Sequence, residues 1–194
     1  MAESILSRLG YEEETERYAV LGLFIQHYAI VERTIHILFR FATGMSDDAA
    51  RTISGGMRVS DLMSAITKLA KARNLGEEFS SETAVCFDQL NAISKFRDTL
   101  IHRGTSTHDD GGLVSTNIFT AKTPEAVEVL KFDLEDIASA IDDCHRLCLR
   151  LERLTFAPDH WARSPGVVDL LGEPWSYRHR QPDTPLRPHR SKPE

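Results

Sequence analysis

The run Leu90-Asn91-Ala92-Ile93-Ser94-Lys95-Phe96-Arg97-Asp98-Thr99-Leu100-Ile101-His102-Arg103-Gly104 decides how this chain folds. Apolar residues recur at steps of three and four, from Cys86 through Leu90, Ile93 and Phe96 to Leu100. That spacing keeps returning to one face of an α-helix, and Gly104 is a natural stop. It predicts a helix over residues 81–103, preceded by Ser80 and Ser81. At the helical repeat Arg97 falls near the centre of the stripe made by Leu90, Ile93, Phe96, Leu100 and Ile101. A guanidinium is seldom buried without a partner, because stripping its water is costly. Asp98 and His102 stand at i and i+4 and share a face at the edge of the stripe.

The same periodicity extends outward in both directions. Tyr18, Leu21, Ile25, Tyr28, Glu32, Ile35 and Phe39 predict one long helix over residues 12–42, apolar around most of its circumference. Such a helix is buried on several sides, or faces a partner as well as its own core. Gly44 fits its C-cap, and Ser46-Asp47-Asp48 fits the start of a short helix, 47–54, ended by Gly55-Gly56. Ser60 fits the cap of a helix over 61–73, with Leu62, Ile66 and Leu69 on one stripe, and Gly76 breaks it. Asp109, Asp110, Gly111 and Gly112 mark a loop. Residues 113–119 and 126–132 then read as an extended pair or small hairpin. Asp133 caps a last helix, 134–155, with Ile137, Ile141, Leu147, Leu151 and Leu154 turned inward. The expected fold is all-α: an up-and-down bundle of four to five helices, with a small hairpin excursion before the last.

Composition bounds the class. The chain has 194 residues, 41% hydrophobic and 27% charged, enough for one core. The helical bundle is expected over residues 1–157, followed by a Pro-rich basic tail, 158–194, extended or disordered. Residues 173–194 hold five of the eight prolines and five basic residues against three acidic ones. That composition cannot order itself alone, although Trp175 and Tyr177 could dock on the body or on a partner. The net charge of −6 makes any polyanion site a local patch on an acidic body. The three cysteines, Cys86, Cys144 and Cys148, with no leader-like or membrane-spanning apolar run, point to a reducing cytoplasm and to no membrane partner.

Arg97, Asp98 and His102 form a set suited to cleaving a phosphodiester without metal or cofactor. In RNA the 2′-hydroxyl can attack its own phosphate. Histidine moves protons near neutral pH. A guanidinium stabilises the charge that develops on phosphorus-bound oxygen. Asp98 could orient either of them. The products would be a 2′,3′-cyclic phosphate and a 5′-hydroxyl.

The run from Phe96 to Gly104 resembles the R-x4-6-H motif of the HEPN ribonuclease superfamily, in which a polar residue, here Asp98, follows the arginine. The resemblance covers about residues 12–156. It implies a small up-and-down bundle with the motif late in its third helix, and a homodimer that joins two motifs in one cleft. It also implies RNA as substrate, Arg97 and His102 as catalytic residues with Asp98 in support, and an antitoxin or other regulatory protein in a toxin–antitoxin or phage-defence setting. One HEPN subgroup carries a modifiable tyrosine two residues after the histidine, where this chain has Gly104. The alternative expectation is a non-catalytic HEPN-like dimer that binds RNA, a nucleotide or a protein. In a purely structural reading, Arg97 bridges to a carboxylate and His102 caps the helix end.

The spacing itself is common: 17 Arg and 8 His produce about one such match by chance. Arg103 with His108, and Arg153 with His160, also fit it, but across loops. Glu32, a carboxylate on an apolar helix, is the best partner for Arg97, and Glu32 and Arg103 are the candidate binding residues. Cys144-His145-x-x-Cys148 lacks the four ligands of a zinc site and reads as small buried thiols. His27 and His36 line packing or a dimer face. His108-Asp109-Asp110 reads as a solvated turn, and Gly55-Gly56 lacks the lysine of a phosphate loop. Arg178, Arg180, Arg187, Arg190 and Lys192 could touch RNA or an acidic partner.

Overall fold

The computed structural model describes residues 15–108, 112–156 and 172–182. Its elements in chain order are α1 (Thr15–Thr43), α2 (Asp47–Ser54), α3 (Val59–Ala72), α4 (Glu77–Arg103), β1 (Ser106–Thr107), β2 (Leu113–Thr116), β3 (Val129–Phe132) and α5 (Leu134–Arg153). This is the expected all-α bundle with a small sheet inserted before the last helix. Helix α1 runs through the middle, packed against α5 and α3, while α4 closes the bundle against α5 and α3. The core is a continuous set of buried side chains. It includes Phe24, Val31, Ile35 and Leu38 of α1, Leu62 and Ile66 of α3, Ile93 and Phe96 of α4, and Ile137, Leu147 and Leu151 of α5.

The helix ends show why these segments form. Asp133 caps α5: its carboxylate accepts from the Asp136 amide and the Asp136 side chain accepts from the Asp133 amide, both at 2.9 Å. At the C-terminus of α1, Gly44 adopts φ +65°. There Arg73 donates to the Ala42 carbonyl at 2.7 Å and to the Phe41 carbonyl at 3.2 Å, satisfying acceptors the helix leaves open. Two starts differ from expectation. Helix α4 begins at Glu77, with Gly76 at φ +99° as its cap, rather than after Ser80 and Ser81. Two glutamates in the first turn favour the helix dipole, and both serine hydroxyls bond back to helix carbonyls. Helix α3 begins at Val59, with Arg58 at the cap position and Ser60 inside the first turn.

The sheet is antiparallel with order β1-β2-β3, Leu113 facing Phe132 and Thr116 facing Val129. The β2–β3 pair is the expected hairpin; the two-residue β1 beside it was not expected. Leu113, Leu130 and Phe132 point into the bundle and seat the sheet over the end of α4.

Residues 174–182 lie along the bundle without regular structure. The anchor is Asp143, a fully buried carboxylate on α5. It accepts from the Ser176 amide (2.8 Å), the Tyr177 amide (2.8 Å) and the Gln89 side-chain amide (2.7 Å). Gln89 also donates to the Tyr177 carbonyl at 3.1 Å. Burial pushes the Asp143 carboxyl up, opposed by the two amides, Arg146 and Gln89. Tyr177 is buried, and Trp175 lies under the Arg150 guanidinium at 4.8 Å. The two aromatics are therefore docked on the body. Among the described residues no helix is long and apolar enough to cross a membrane.

Candidate functional site

Phe96 sets the geometry at the end of α4. Its ring stacks on Tyr177 (centroids 5.0 Å, planes 22° apart), meets Phe132 edge-on (5.3 Å, 89°) and packs against Phe24 (5.8 Å). An aromatic held from three elements fixes the rotation of the helix at that point. The next polar residues, Arg97, Asp98 and His102, are thereby directed outward.

Arg97 donates to the Asp98 carboxylate at 2.8 Å, and its guanidinium lies 5.2 Å over the ring of Tyr28. The Tyr28 hydroxyl is in turn 2.8 Å from the Ser94 hydroxyl. The hydrogen bond to Asp98 raises the Arg97 pKa further, so its charge is permanent. Two expectations are corrected here. Arg97 lies at the margin of the apolar stripe, with 30% of its side chain exposed, because Ile101 belongs to the surface (44% exposed) and the buried face runs through Leu90, Ile93, Phe96 and Leu100. Glu32 is not its ion-pair partner: Asp98, the next residue, reaches the guanidinium from the half-exposed helix end with little desolvation. Glu32 does line the same groove, about 450 Å³, together with Tyr28, His36, Arg58, Arg97 and Asp98. It acts on both Arg97 and Tyr28 through its charge.

His102 faces a second groove of about 480 Å³. Asp98 lines both grooves. The structure thus brings Arg97 and Asp98 into contact and sets exposed His102 on the other side of Asp98. Arg103, next along, pairs with Glu128 at 2.9 Å and so braces the loop before β3 against α4. The second groove also holds Lys95 and, from the docked segment, His179. His179 was missed from sequence. A third groove, about 500 Å³, is lined by Arg33, His36, Arg40 and Arg51. There Arg40 pairs with Asp47 (2.8 Å) and Arg51 with Asp48 (2.6 Å).

Cys144 is buried and Cys148 accepts from the Thr34 hydroxyl at 3.6 Å. Burial pushes both thiols up, Cys148 to about 11, which disfavours the thiolate a metal needs. His27 and His145 meet edge-on at 4.1 Å between α1 and α5, and burial with the neighbouring imidazole lowers the His27 pKa. His36 lies 3.1 Å from the Ser54 hydroxyl. Arg180 pairs with Asp136 at 2.9 Å, at the cap of α5. Asp109, Asp110, His160, Arg187, Arg190 and Lys192 lie outside the described residues. Among the described residues no group of three or more His, Cys, Asp or Glu is placed to hold a metal ion. Comparison with protein-family models, with curated proteins and with solved structures returned no match.

Proposed function

We propose that this protein is a HEPN-like endoribonuclease that cleaves RNA without metal by attack of the 2′-hydroxyl on the adjacent phosphate. The observation that carries the reading is the Arg97–Asp98 pair, 2.8 Å, one turn before His102 at the end of α4. Asp98 holds the guanidinium in place, Arg97 neutralises charge developing on the phosphate, and His102 transfers a proton. Ile101, 44% exposed between Arg97 and His102, supports a homodimer in which a second copy covers it and adds its own motif to one cleft. A cytoplasmic setting and a regulatory or antitoxin protein belong to the same reading. One observation favours a second reading, a non-catalytic RNA-, nucleotide- or protein-binding module: the Arg97 guanidinium is already engaged by Asp98 and Tyr28, and Asp98 separates it from His102.

The test is cleavage of a mixed RNA pool in the presence of chelator by the wild type, His102→Ala and Arg97→Ala. The expected result is wild-type cleavage leaving 2′,3′-cyclic phosphate ends, lowered about 100-fold or more by either substitution. Equal cleavage by all three proteins would remove both residues from the reaction. No cleavage by the wild type would leave the binding module.

A further inference from the structure

The docked segment brings a second imidazole to the His102 groove. Residues 174–182 are held by several independent contacts: the Asp143 carboxylate, Gln89, the stacking of Tyr177 on Phe96, the Arg146 bond to the Pro174 carbonyl, and Arg180 on Asp136. Their joint effect is to fix the backbone up to Tyr177, before His179, and to tie down the Arg180 side chain after it. His179 then lines the same groove as Lys95, Asp98, His102, Arg103 and Glu128. Its Nδ1 lies 3.4 Å from the Tyr177 hydroxyl, and its Nε2 makes no hydrogen bond among the described residues.

We infer that His179 and His102 form one phosphate-binding pair and share the proton transfers of cleavage. The chemistry of this inference rests on the ribonuclease reading above. His179 takes the proton of the 2′-hydroxyl, whose oxygen attacks phosphorus. The bond from phosphorus to the 5′-oxygen breaks, and that oxygen takes a proton from His102. Burial, and then the charge of Lys95, lower the His179 pKa, which favours the neutral imidazole that a base requires. Lys95 and Arg103 face the same space and offset the charge of a bound phosphate, against the carboxylates of Asp98 and Glu128. A single histidine must serve as acid and base in turn; two in one groove divide the roles.

The test has two arms on the full chain. In the first, inorganic phosphate is titrated while the imidazole C–H resonances are followed by NMR. His102 and His179 should shift together on one binding curve, while His27 and His145, paired elsewhere, should not move with it. In the second, RNA cleavage by the wild type is compared with that by His179→Gln. The expected result is a fall in kcat/KM of about 100-fold and loss of one limb of the pH–rate profile. Gln removes the contact with the Tyr177 hydroxyl but leaves the Asp143 and Gln89 bonds to the Tyr177 backbone in place, so Tyr177 amide protection verifies that the segment stays docked. If the wild type cleaves nothing yet both histidines move with phosphate, the ribonuclease reading falls and the phosphate-binding pair stands. If phosphate moves His102 without His179, or if His102→Ala abolishes cleavage while His179→Gln keeps the wild-type rate and pH profile, the inference is overturned.

Discussion

Replacing Asp143 with alanine should undock residues 174–182. The carboxylate is fully buried and accepts from the Ser176 and Tyr177 amides, each at 2.8 Å, and from Gln89 at 2.7 Å. A buried donor that loses its acceptor costs about 1–3 kcal/mol. The two backbone amides escape that penalty only if the segment detaches and returns them to water. Detachment exposes Tyr177, whose burial stabilises by about 2–3 kcal/mol. The loss is therefore capped near the docking energy, about 3 kcal/mol at the lower end of the same two terms. For a chain of this size each kcal/mol lowers the melting temperature by about 2–4 °C, so Asp143→Ala should melt about 6–12 °C below the wild type. Thermal unfolding reads the shift, and hydrogen exchange at Ser176 and Tyr177 should report lost protection. Asp142→Ala, at the exposed neighbouring position, is the control and should stay within about 0.5 kcal/mol of the wild type. A melting point for Asp143→Ala within about 1 °C of the wild type, with both amides still protected, would refute the anchoring role.

Other perturbations test the remaining supports. Phe96→Ala, which empties the space among Phe24, Phe132 and Tyr177, should cost about 3–5 kcal/mol in denaturant unfolding. Gly44→Ala should cost about 1–2 kcal/mol; an added Cβ would sit at positive φ and 2.9 Å from the Arg73 guanidinium, so restored stability in Gly44→Ala/Arg73→Ala would shift the blame from backbone to contact. Glu82 receives two bonds from Arg150, at 2.5 and 2.9 Å, and these hold its carboxyl below the usual value. A depressed folded pKa adds stability above the unfolded pKa, about 4.3, that is lost as pH falls through the folded pKa. Glu82→Gln should therefore lower the melting temperature at pH 7 and flatten its fall below pH about 4; parallel acid curves for variant and wild type would count against the pair.

The fold was legible where local chemistry and periodicity agreed. Asp133 and Asp136 form the box that starts α5, and the Ser46 to Gly55 frame matched α2 within a residue. It was not legible where local signals competed. Ser80 and Ser81 look like caps, yet Gly76 supplies the backbone turn and Glu77 and Glu78 the favourable charge, so the helix starts earlier. Strand β1 is two exposed polar residues, Ser106 and Thr107, held by pairing with β2 and by Arg17, which donates to the Thr107 hydroxyl at 3.0 Å, and it carries no alternation to read. At the site, the i, i+4 relation of Asp98 and His102 was readable, and so was Asp98 as a carboxylate able to orient Arg97 or His102, but the sequence did not choose between them or place Ile101 on the surface. His179 carries no local signal at all: it sits in a Pro-rich polar stretch. The usable clue lay on α5, where Asp143 interrupts the buried face formed by Ala140, Cys144 and Leu147 and so demands donors from elsewhere.

The docking of Tyr177 bears on the order in which the molecule is made. Gln89 and Tyr177, joined by a hydrogen bond, are 88 residues apart in the chain. A growing polypeptide forms α4, with Arg97 and His102 in place, long before it reaches the residue that closes over Phe96. Contacts between such distant parts form late, after local helices and their neighbours. During synthesis the α4 end therefore carries an uncovered aromatic face and a groove with one of its two imidazoles. That groove gains His179 and Pro182 of its lining only once residues 174–182 have been added.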